Sequence, residues 1–136
     1  MTRIVFYSAQ FLPYLPESCQ VTPGAYGFEL AMWLSKALMR LGIVTSYPIG
    51  VDWSWGWFIE YTEGDANFII GCSCQASQGE GYLGQPLRWS VFIEQSLSVT
   101  QRLRGQSDPV ITAKLMDAIV AVLKAEGIAV QVEEAT

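Results

Sequence analysis

The chain of 136 residues contains no histidine. Histidine is the commonest general acid and base near neutral pH, so serine–histidine and cysteine–histidine catalysis are excluded. Bases are scarce as well: eight lysines and arginines stand against thirteen acids, a formal charge of −5. Only Arg102 and Arg104 lie close together. A nucleic-acid binder needs a basic stripe to release counterions from phosphates, and this composition speaks against that class of partner. Long apolar runs are missing too. The longest candidates are broken by Glu29, Lys36 and Arg40 or by Lys114, Asp117 and Lys124, short of the ~18 uninterrupted apolar residues that mark a membrane span. Three cysteines, Cys19, Cys72 and Cys74, cannot all pair within the chain. Arg3 leads at once into a strand-like run with no signal-peptide pattern, and a reducing, cytoplasmic setting is expected.

Apolar residues fill 51% of the chain and charged ones only 15%, against roughly 25% charged in ordinary domains. A chain of this length is expected to form one domain over residues 1–136 and to bury roughly two-thirds of its unfolded surface, without help from disulfides or metal. With so few charges, either uncharged polar residues cover the outside or part of the apolar surface lies against another molecule. The acidic balance suits a basic partner, and solubility accounts for it equally well.

Ile4 to Tyr7 reads as a first strand. Phe11 to Ala25 holds Pro13, Pro16, Pro23 and Gly24, which prevent a continuous helix or central strand, so an irregular loop is expected. From Tyr26 to Leu41 the period becomes helical: Leu30, Leu34, Leu38 and Leu41 form one stripe with Glu29, Lys36 and Arg40 off it, and Gly42 is placed to cap the end. Ile43 to Ile49, Trp55 to Thr62, Asn67 to Cys74 and Leu87 to Glu94 read as strands, with a turn at Glu63-Gly64-Asp65 and an exposed glycine-rich loop from Gln75 to Pro86. Asp108-Pro109 is a helix start, an N-cap acceptor followed by proline. Ile111, Leu115, Ala118, Ile119, Val122 and Leu123 make its stripe, and Gly127 its end. Ile128 to Val132 adds a short last strand. Short turns between strands favour antiparallel pairing. The expectation is an α+β fold, β-α-β-β-β-β-α-β, with a single antiparallel sheet of five to six strands and two helices packed on one face.

Gly79-Glu80-Gly81-Tyr82-Leu83-Gly84 fits G-x-G-x-x-G, but the phosphate mechanism needs that loop to open a helix. Pro86 and a strand follow instead, and Glu80 would repel phosphate; a flexible hairpin loop is the better reading, and no cofactor is expected. Cys72-x-Cys74 puts two thiols on one strand face, yet zinc wants four ligands and only Cys19 remains, so no metal is expected. Asp52 and Glu60, with Glu63 near, leave room for a carboxylate-dependent hydrolase.

The most distinctive run is Asp52-Trp53-Ser54-Trp55-Gly56-Trp57. In an extended chain the indoles of Trp53, Trp55 and Trp57 share one side of the sheet. Either that side faces the helices and the tryptophans are core, or an indole reaches the open face or rim as an interface anchor. Tyr61 and Trp89 on neighbouring strands would extend such a platform, with Asp52, Glu60 and Glu63 meeting basic groups of a partner.

The pattern Tyr26-Gly27-x-Glu29-Leu30-Ala31-x-Trp33-Leu34, then Leu41-Gly42-Ile43-x-x-Ser46-x-Pro48-Ile49 and Asp52-Trp53-x-Trp55, resembles small acidic bacterial α+β proteins similar to the immunity proteins that neutralise polymorphic toxins. It covers about half the chain and identifies no catalytic residue. The resemblance implies an inhibitor that occludes a protein partner, a basic toxin or effector. A phage-encoded inhibitor is physically the same proposal. The alternatives are a homodimer or larger homo-oligomeric assembly component and, third, the hydrolase.

Overall fold

The computed structural model describes residues 2–20, 25–50, 56–74, 76–77, 79–96, 104–105 and 108–134. Six strands, β1 (Thr2–Ser8), β2 (Ile49–Gly50), β3 (Trp57–Glu63), β4 (Ala66–Cys74), β5 (Leu87–Ser96) and β6 (Gln131–Glu134), and two helices, α1 (Phe28–Arg40) and α2 (Pro109–Ala125), follow in the expected order. The strands form one sheet in the order β2-β3-β4-β5-β1-β6, and every pairing is antiparallel. Hairpins build β3, β4 and β5 in succession, whereas β1 takes its place between β5 and β6.

Alternation sorts the strand residues onto two faces. Ile4 and Phe6, Ile59 and Tyr61, Phe68, Ile70 and Cys72, and Trp89, Val91 and Ile93 share a buried cluster with Leu30, Leu34 and Leu38 of α1 and Ile111, Leu115, Ile119 and Leu123 of α2. Both helices therefore lie on one face of the sheet. The opposite face carries Val5, Phe58, Gly71, Ser90 and Phe92 at its centre, with Glu60, Thr62 and Glu94 exposed around them.

The two helices start differently, α1 at Gly27 without a side-chain cap and α2 on Asp108, but end with the same chemistry. The Asp108 side chain accepts the Ile111 N–H at 3.1 Å, with Pro109 at the first helical position. At the C-terminus of α1, Gly42 N–H donates to Met39 and Ile43 N–H to Leu38; at that of α2, Gly127 donates to Lys124 and Ile128 to Leu123. Both glycines have positive φ and both following isoleucines are buried: two Schellman caps, each sealed by an apolar residue.

Three expectations need correction. Leu41 is exposed rather than part of the α1 stripe, because the helix has ended at Arg40. The strand expected over Ile43 to Ile49 shrinks to Ile49–Gly50. Ser46 does meet β3, donating its N–H to the Glu60 carbonyl, but its hydroxyl then takes the Glu60 N–H in place of a backbone carbonyl, and Pro48 supplies no donor. The glycine-rich loop is not a free hairpin. Glu80–Leu83 form a 3-10 turn, Gly81 is buried against the Tyr26 ring, and Gly79 N–H donates to the Tyr26 hydroxyl at 2.8 Å.

Candidate functional site

One end of the sheet gathers the loop after β1, the first turn of α1, the start of β3 and the glycine-rich loop between β4 and β5. Glu29, in the first turn of α1, sends its carboxylate into the proline-rich loop, where Oε2 accepts the N–H groups of Tyr14 and Leu15 at 3.3 and 3.4 Å. The Leu15 carbonyl is held from the other side by Gln20 Nε2 at 3.4 Å and by the Tyr82 hydroxyl. Gln20 Nε2 also donates to the Tyr82 hydroxyl at 3.3 Å. Tyr82 in turn packs edge-on against Tyr26, ring centroids 5.7 Å apart. Proline-rich loop, helix start and glycine-rich loop are thus tied together through the single residue Leu15.

A row of aromatic rings runs beside this knot. Tyr14 meets Phe28 edge-on at 5.9 Å, and Phe28 meets Trp57 at 5.2 Å. Such T-shaped contacts place the positive edge of one ring on the negative face of the next. Tyr14, at the end of the row, is 67% exposed.

The electrostatics here are one-sided. No lysine or arginine occurs between Arg3 and Lys36 or between Arg40 and Arg88, while Glu17, Glu29 and Glu80 fall within the converging segments. Several oxygens have no hydrogen-bond partner among the described residues: both carboxylate oxygens of Glu17, Oε1 of Gln20 and Oε1 of Glu29 are all buried. Glu29 is only 6% and Gln20 8% exposed. Burial pushes the Glu29 carboxyl above its ordinary range, with the N–H groups of Leu15 and Tyr14 pulling the other way. Burial also raises the Tyr26 phenol, opposed by its backbone hydrogen bonds. The Trp57 indole N–H is likewise buried and without an acceptor.

The residues named from sequence are dispersed. Asp52, Trp53 and Trp55 lie outside the described residues. Trp57 is half-buried on the helix-covered side of β3 and joins the aromatic row. The described strand begins at Trp57, directly after Gly56 at φ +84. Trp89 is 0% exposed and donates its indole N–H to the Ser8 carbonyl. Tyr61 is also buried in the core. Neither extends a surface platform: both sit under the helices, where an aromatic of that strand parity fills the layer between sheet and helix. Glu60 is exposed on the open face. Glu63 lies on the opposite face, accepting from Lys114 Nζ at 2.9 Å and from the Tyr61 hydroxyl at 2.6 Å. Glu60 and Glu63 therefore point to opposite faces, and Asp52, the other acid of the expected pair, lies outside the described residues.

Sequence reasoning missed Tyr14, Glu17, Gln20, Phe28 and Tyr82, and it placed Glu29 on the polar side of its helix. The signal available was the long absence of bases on either side of α1. Among the described residues no group of three or more histidine, cysteine or acidic side chains is placed to hold a metal ion, and no helix is long and apolar enough to cross a membrane. No family model, curated protein or solved structure matches the chain.

Proposed function

We propose that this chain is a small acidic binding protein of the inhibitor or immunity type, which covers the surface of a basic partner protein, a toxin or effector, with the loop end of its sheet. The observation that carries this reading is the aromatic row Tyr14–Phe28–Trp57 set among converging segments that hold Glu17, Glu29 and Glu80 and no lysine or arginine. Aromatic anchors supply the desolvated centre of an interface, and complementary charge steers encounter and sets register. Features that suit catalysis are few: the chain has no histidine, and Glu60 and Glu63 lie on opposite faces of the sheet. Action in the reducing cytoplasm is part of the proposal, supported by three free cysteines.

The test is capture of a partner on the immobilised protein, its identification by mass spectrometry, and calorimetry with both purified components. Tyr14→Ala and Glu17→Lys variants that keep the parent circular dichroism spectrum are expected to bind at least about tenfold more weakly, the scale of an interface anchor. Val110→Ala, exposed in the first turn of α2 beside the opposite end of β5, serves as the control. Parent-like affinity in both loop-end variants removes this end as the interface.

A second reading, self-association, is favoured by a different feature. Met39, Leu41, Val44 and Tyr47 are exposed together with Ile49 of the short edge strand β2, beside a groove of about 400 Å³. Sedimentation across a hundredfold range of concentration checks it; a single monomeric species throughout rules it out.

A further inference from the structure

The knot at Leu15 has a chemical peculiarity that the broad surface reading does not use: its unfilled groups are all acceptors. Gln20 Oε1, Glu29 Oε1 and both oxygens of Glu17 are buried without a donor among the described residues, and Gln20 and Glu29 are each more than nine-tenths buried. Buried oxygens left unpaired are costly, and more so when charged. Gln20 and Glu29 meet at Leu15, and Glu17 precedes Gln20 on the same turn; the buried oxygens of all three have one polarity, suited to a group that only donates. Glu29 and Gln20 converge on one residue, gripping the Leu15 N–H and carbonyl respectively.

From this geometry we infer that Glu29 and Gln20, with Glu17, form a subsite for one guanidinium group, the arginine side chain of a partner. A guanidinium carries five N–H donors in a rigid plane and no acceptor, the complement of this set, and it is desolvated at less cost than an ammonium. It would also supply the positive charge that the buried Glu29 carboxylate lacks: none of the basic residues of this chain lies in the converging segments. The rings of Tyr14 and Phe28 alongside add aromatic surface of the kind on which guanidinium groups stack. The acceptors are covered, so entry needs a local opening at the turn Glu17–Cys19, which has no buried residue, and the turn closes again with Glu17 on the bound group. This inference rests on the loop end being the partner-binding surface.

Methylguanidinium is the probe. Titrated against the ¹⁵N-labelled full chain, it is expected to shift the Tyr14 and Leu15 amide resonances saturably, and tetramethylammonium, a cation without N–H donors, is expected not to. Glu29→Gln and Gln20→Leu should each weaken the response at least about tenfold, the scale of a lost hydrogen bond to a charged group. If Glu29→Gln fails to fold, Gln20→Leu alone decides. No saturable shift, an equal response to tetramethylammonium, or parent-like binding by the folded variants overturns the subsite. Failure here with partner capture still lost in Tyr14→Ala overturns the subsite alone; loss of both readings requires that Tyr14→Ala also bind its partner normally.

Discussion

The ring of Phe92 lies directly over Gly71 on the open face of the sheet, where the two residues are cross-strand partners in β4 and β5. A Cβ at position 71 would overlap the ring atoms. The glycine is therefore there for close approach, not for a turn. Gly71→Ala is expected to cost about 1–3 kcal/mol, as overpacking does, and trimming the ring in Gly71→Ala/Phe92→Leu should return part of it. Urea unfolding of the two variants checks this. An unchanged midpoint in Gly71→Ala would mean the ring moves aside freely.

Glu29 gives stability a distinctive pH dependence. Its carboxyl is raised by burial above the ordinary value of 4.5, so the folded state binds that proton more tightly than the unfolded one. The contribution is then fullest below pH 4.5 and declines as pH climbs through the raised folded value. Glu29→Gln removes the charge but keeps an acceptor for Leu15. The advantage of this variant over the parent should be small in acid and grow toward neutrality. Urea midpoints at steps from about pH 4 to about pH 8 test the sign, and a difference that does not vary with pH defeats it.

Glu63 behaves in the opposite sense. Its hydrogen bonds with Lys114 and then Tyr61 hold the carboxyl below 4.5, so its contribution is present above that value and is lost as pH falls through the lowered one. Carboxyl titration by NMR should place the Glu63 midpoint below 4.5 in the parent. In Lys114→Met the midpoint should move up toward 4.5, with a smaller rise in Tyr61→Phe. Both groups of the ion pair are solvent-facing, so added salt should narrow the gap between parent and Lys114→Met.

The cysteines should separate cleanly by reactivity. Burial pushes the Cys72 and Cys74 thiols up to about 12, leaving almost no thiolate at neutral pH. Cys19 is exposed. Iodoacetamide on the native chain should label Cys19 first, with Cys72 and Cys74 following only under denaturant; peptide mass mapping reads the order. Prompt labelling of Cys72 in native buffer would contradict the burial.

The sequence was most informative where structure repeats along the chain. The leucines of α1 and the Ile111–Leu115–Ile119–Leu123 series of α2 recur at helical spacing, and the Gly42-Ile43 and Gly127-Ile128 pairs mark their ends, so the helices could be read within two or three residues. The strands β3 and β4 were legible because the tight turn at Gly64-Asp65 forces neighbours to pair, and β5 from its own β-branched and aromatic run. The loop end was not. Its organising contacts join Glu29 to Leu15 and Gln20 to Tyr82, side chain to backbone or side chain to side chain, across distances with no period. Trp89 misled for a related reason: an aromatic residue on a strand does not disclose which face it takes until the helices are placed. The start of β3 directly after Gly56 likewise depends on a φ that composition alone does not fix.

The place of β1 has a consequence for the order of events during synthesis. Thr2 to Ser8 leave the ribosome ahead of strands β2 to β6, yet the partners of β1 are Leu87–Phe92 of β5 on one side and Gln131–Glu134 of β6 on the other. The Thr2 hydroxyl bonds to Glu134 across a sequence separation of 132. The β3–β4–β5 meander can assemble from neighbours while translation continues at ~5–20 residues per second, but Ile4 and Phe6 must wait for it. These apolar side chains therefore spend that interval without a native strand beside them, the state in which a nascent chain most needs shielding from other chains.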